Sequence, residues 1–118
     1  REAALRTERG EPAAAIEIYD RIAGDSSEDK MLRELATLYS VILQSTSGDA
    51  AALVARLEPI ARDDRPWRYS ARETIAVLYL RIGETVKARD GFAALVDDLN
   101  APRNMRARAA EMLQVLDS

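Results

Sequence analysis

Three pairs of neighbouring carboxylates, Glu28-Asp29, Asp63-Asp64 and Asp97-Asp98, are the residues of this chain whose type could first suggest catalysis. Hydrolysis of a glycoside needs two carboxyl groups held roughly 5 to 10 Å apart in a cleft. A calcium loop spaces several oxygen ligands around a sharp glycine turn. Neither pattern occurs, and each pair falls near an expected helix end, where solvated acids are ordinary. Histidine and cysteine are both absent. With them go the usual general base near neutral pH, the commonest zinc and copper ligands, and every Ser-His or Cys-His nucleophile. Gly10, Gly24, Gly48, Gly83 and Gly91 are too scattered to form a phosphate-binding loop. The sequence therefore assigns no catalytic, cofactor-binding or metal-ligating residue, and the chain reads as a non-enzyme.

Binding chemistry has more candidates. Trp67 and Tyr69 stand beside Arg65, Arg68 and Arg72, a grouping that could stack on a nucleic-acid base or grip an acidic peptide. Packing explains them better: Trp67 fills a junction between two helices, and the arginines pair with Asp63, Asp64 and Glu73. The 17 basic and 20 acidic residues give a net charge of -3, which offers no general attraction to nucleic acid or anionic lipid. Met105 and Met112, seven residues apart, could form an adaptable contact surface. Their favoured role is to cap a core. Gly91 falls inside a helical pattern at a cost of about 1 kcal/mol against alanine, which a close helix crossing explains and ligand access would also explain.

The elements that position these residues are all helical. At 118 residues the chain has the length of one ordinary domain. Its 47% hydrophobic residues include only 5% aromatics, so Ala, Leu, Ile and Val must pack helices closely. Apolar residues recurring every three or four positions predict helices over about 2–9, 12–23, 28–45, 50–62, 67–82, 85–98 and 103–116. The punctuation agrees: Gly10 and Gly83 close helices, Pro12 opens one, Ser26 with Asp29 resembles a capping box, and Asp49 is an N-cap. No apolar run nears the roughly 18 residues needed to span a bilayer. The short first helix leads to the expectation that upstream sequence, with a targeting or membrane segment, precedes Arg1.

Internal periodicity connects the helices. Gly10, Ala15, Tyr19 and Ile22 share their offsets with Gly83, Ala88, Phe92 and Leu95. Leu35-Ala36 and Tyr39 are echoed forty residues later by Ile75-Ala76 and Tyr79. This pattern of small and bulky residues resembles the tetratricopeptide repeat, best over residues 69–102, where Ile75, Ala76, Tyr79, Gly83, Ala88, Phe92 and Leu95 take the signature positions. Pro102 comes slightly late, and Leu53 stands where the family has alanine. The resemblance implies an all-α, right-handed superhelical stack of antiparallel helix pairs, about seven helices in a single domain, with 103–116 as the capping helix. The segments around Gly10-Glu11, Leu35 to Leu43, Pro66 to Glu73 and Arg106 to Ala109 are also similar to bacterial proteins related to the ancillary subunit of the Sec translocon. That likeness implies a soluble domain on the periplasmic side of the inner membrane, held by an N-terminal anchor and assisting secretion or envelope protein assembly.

In such stacks the leading helices line a concave surface that reads a peptide or partner helix. In this register the reading residues are Lys30, Arg33, Thr37 and Ser40, followed by Glu73, Val77, Leu80 and Arg81. Arg33 and Arg81 are expected to face the same side and steer an acidic segment. The expected partner is a protein or peptide, with no nucleic acid, no direct membrane contact and a monomeric or weakly dimeric state. The alternative is a self-assembly module without a peptide groove.

Overall fold

The computed structural model describes residues 12–118. Among them the chain forms six α-helices and one 3-10 turn, with no strand. The expected helix over 2–9 and its closing Gly10 lie outside the described residues. The chain divides into two compact units, Arg1–Gly48 and Asp49–Ser118.

In the first unit α1 (Pro12–Ala23) pairs with α2 (Lys30–Gln44). Pro12 opens α1, where its missing N–H costs nothing, and Ala15 is fully buried. The start of α2 differs from the expected capping box. Asp29 is the N-cap and accepts from the Met31 amide at 2.9 Å, while Ser27 donates to Asp25 in the preceding turn. The helix thus begins directly after Asp29, whose carboxylate is a charge-assisted acceptor for the backbone, and not after Ser26. The rings of Tyr19 and Tyr39 meet across the pair, 5.4 Å between centroids.

The second unit contains α3 (Ala50–Leu57), a 3-10 turn (Glu58–Ala61), α4 (Arg68–Arg81), α5 (Thr85–Asp97) and α6 (Arg103–Asp117). Asp49 caps α3 as expected, accepting from the Ala51 and Ala52 amides. The helix read over 50–62 stops early, however. Pro59 has no N–H and its ring crowds the carbonyl one turn back, so the backbone tightens into the 3-10 turn that still buries Ile60. Gly83 takes φ 79° and closes α4. Its amide donates to the Leu80 carbonyl and the Glu84 amide to the Tyr79 carbonyl, so two end carbonyls are satisfied together.

α4 packs on α5 and α5 on α6. Their core is Ala76, Ala88, Phe92, Leu95, Met105 and Ala109, flanked by Tyr79, Met112 and Leu116. The two methionines thus close the core, as their spacing suggested. A Cβ at Gly91 would lie 3.1 Å from the Ala76 Cβ. The glycine is there because two helix backbones cross closely at that point.

One bond recurs. Arg33 Nε donates to the Ala23 carbonyl at 3.1 Å, Arg72 Nε to Ala61 at 2.8 Å, and Arg106 Nε to Val96 at 3.3 Å. In each case an arginine in the early turns of one helix satisfies a carbonyl at the end of the preceding helical segment, where cationic donors are favoured by the helix dipole. The joint is fixed by a partly buried, charge-assisted bond.

Candidate functional site

A groove runs between α4 and α5 because three of its lining positions carry almost no side chain. Arg72, Ile75, Ala76 and Tyr79 line it from α4, at spacings that place them on one stripe. Lys87, Gly91 and Ala94 line it from α5 in the same manner. Its cavity is about 140 Å³ and predominantly apolar. Ile75 and Tyr79 form walls, Ala76 and Gly91 meet closely as the floor, and the small side chain of Ala94 leaves the groove uncovered.

The two ends of the groove differ electrically. Arg72 is held by Asp63 at 2.6 Å and reaches Asp98 at 3.8 Å. Its guanidinium also lies 5.5 Å from the centre of the Tyr69 ring, with Arg68 on that ring at 4.5 Å. The aromatic-arginine grouping is therefore satisfied internally, and Trp67 is half-buried at the N-cap of α4. Asp98 is drawn below the usual aspartate range, chiefly by the Asn100 amide that donates to it at 2.9 Å, and further by the Tyr69 hydroxyl, Arg72 and Arg68, against an opposing effect of burial. At the other end Lys87 is exposed. Its ammonium sits over the Tyr79 ring, 5.3 Å from the centroid, and makes no ion pair among the described residues.

The residues chosen from the repeat register are distributed differently from that expectation. Ser40 is fully buried and donates to Asp20 at 2.6 Å; it ties α2 to α1 and cannot read a partner. Arg33 is half-buried on the Ala23 carbonyl, so it holds a helix joint instead of standing out to steer an acidic segment. Thr37 is half-buried and donates to the Arg33 carbonyl within its own helix. Lys30 is exposed at the start of α2.

In the second unit Glu73 is engaged by Arg108 of α6 through two bonds of 2.9 and 3.1 Å. This pair raises the Arg108 pKa through the hydrogen bond and the charge of Glu73. Leu80 packs against the core. Val77, 43% exposed, and Arg81 remain at the surface of α4.

Arg72, Ile75, Ala76, Tyr79 and Gly91 stand out in the sequence for other reasons, whereas Lys87 and Ala94 do not, and nothing in the sequence marks the groove that joins them. The nearest signal is Gly91, a glycine inside a strong helix. Among the described residues no group of His, Cys, Asp or Glu could hold a metal ion, and no helix is long and apolar enough to cross a membrane. No family model, curated protein or solved structure matches the chain.

Proposed function

We propose that this chain is a non-catalytic protein-interaction module built from tetratricopeptide-like helix pairs. The observation that carries this reading is the α4–α5 groove, an apolar slot too small for a cofactor, open at the surface and edged by Lys87, which makes no ion pair among the described residues. The helix-pair assignment draws support from the repeated residue offsets and from the arginine bond that recurs at Arg33, Arg72 and Arg106. By its resemblance to relatives of the ancillary translocon subunit, the module works at the periplasmic side of the inner membrane and assists secretion or envelope protein assembly.

The test is site-specific photo-crosslinking of the full-length protein in its own cells. A photoreactive residue at Ala94 should yield one protein adduct that a control at Glu111, exposed on α6, does not. An identical adduct pattern at both positions, or none at either, defeats the reading.

Self-assembly is the second reading, favoured by one observation. Leu99 is 80% exposed immediately after Asp97-Asp98. A stable dimer in light scattering across a concentration series, lost on Leu99→Ser, would favour it.

A further inference from the structure

We propose that the α4–α5 groove selects a protein segment in which a bulky apolar side chain stands next to a carboxylate. The apolar side chain fills the groove, and the carboxylate meets Lys87. This specificity rests on the chain being a protein-interaction module.

Volume sets the size of the occupant. Pockets that enclose cofactors or drug-sized ligands run from roughly 300 Å³ upward. An apolar cavity of roughly 150 Å³ takes a benzene-sized group. The groove, at about 140 Å³, therefore accepts one leucine or phenylalanine side chain. A long acyl chain with a carboxylate has the right polarity and overruns the space. A nucleic-acid phosphate brings charge without the apolar group.

Charge sets the orientation. Arg72 is already neutralised by Asp63 and Asp98, so its end of the groove exerts no net demand for an anion. Lys87 lies at the Tyr79 end, about 10 Å away along α4 by helix rise, with no ion pair among the described residues. One anion beside one apolar group is the complement of this arrangement. Tyr79 contributes twice, as an apolar wall and as the face that positions the ammonium.

Three labelled nine-residue peptides test the specificity by fluorescence anisotropy at low salt. Each has a Gly/Ser background: the first with a central Leu flanked by Glu, the second with that Leu flanked by Lys, the third with Ala between Glu residues. The Glu-Leu peptide should bind several-fold more tightly than the Lys-flanked one, because an exposed ion pair contributes less than about a ten-fold factor, and about ten-fold more tightly than the Ala peptide, because a buried leucine contributes on that order. Lys87→Glu should reverse the preference between the first two. Ala94→Leu, which adds a side chain over the groove from an exposed position, should abolish binding of the first while helicity is unchanged.

Equal binding of the three peptides, binding indifferent to both variants, or no binding overturns the specificity. So does displacement of the Glu-Leu peptide by micromolar oleate, which would assign the groove to a lipid. Self-association abolished by Lys87→Glu would assign it to a second copy and also overturn the proposal. A groove-specific cellular adduct at Ala94 alongside failed peptides would leave the interaction reading standing and remove only this specificity.

Discussion

At the scale of single residues, position in a repeat register and role in the structure come apart. Arg33 and Arg72 belong to comparable helices, and both spend their guanidinium on a neighbouring backbone carbonyl. A partly buried, charge-assisted bond of this kind is worth about 1 to 2 kcal/mol. Arg33→Ala should accordingly lower the free energy of urea unfolding by about that amount, whereas Lys30→Gln, at an exposed site, should move it by less than about 0.5 kcal/mol. Equal effects would show that the Arg33 bond does not form in solution. Asp98 supplies a second residue-scale expectation. Because its folded pKa lies below the ordinary value of 3.8, its stabilisation is complete above that value and is lost as pH falls through the lower, folded one. Below about pH 4 the wild-type denaturation midpoint should drop more steeply than that of Asp98→Asn. Parallel curves would contradict the assigned network. The register could not foresee Ser40 or Arg33, since both are decided by partners on another helix, Asp20 and Ala23.

At the scale of elements, local chemistry was the better guide. Asp49 and Gly83 act through bonds to their own neighbours and Pro12 through its missing N–H, and a linear sequence displays such local rules directly. Pro59 obeyed an equally local rule that the apolar spacing of Leu53, Leu57 and Ile60 masked, and α3 is four residues shorter for it than an unbroken run to Ala61. The groove was illegible for another reason: it consists of missing side chains, which periodicity treats as unremarkable alanines. The crossing at Gly91 can be checked by a double-mutant cycle. Gly91→Ala alone should gain none of the roughly 1 kcal/mol expected from helix propensity, because the new methyl would press on Ala76 at 3.1 Å. In an Ala76→Gly background the same change should recover it. Full gain in the wild type would mean that the helices separate readily. Ala88→Leu, at a fully buried position of that helix pair, should cost about 1 to 3 kcal/mol by overpacking, read as a lowered thermal midpoint.

At the scale of the whole molecule, the second unit holds its own complete set of supports. Its core joins α4, α5 and α6, its α3 has an aspartate cap, and two arginine-to-carbonyl bonds lie within it. Arg89 adds a tie to the end of the chain, with Nε 2.9 Å from Asp117 and the far nitrogen 3.4 Å from the Leu116 carbonyl. Residues 49–118 expressed alone should therefore fold, with helical circular dichroism and one cooperative thermal transition. A non-cooperative melt would show that this unit depends on residues before Asp49.

The arginine bonds have a consequence for how such a chain can change over generations. Each guanidinium grips a carbonyl, a group that every residue possesses, and the acceptors here are Ala23, Ala61 and Val96. The joint is thus indifferent to the identity of the residue it holds and demanding only of its location. The outer face of a helical segment can be rewritten without disturbing this bond, provided that the arginine and the position of the carbonyl are kept. Change along the outer face and constancy at the joint are therefore separable in this architecture.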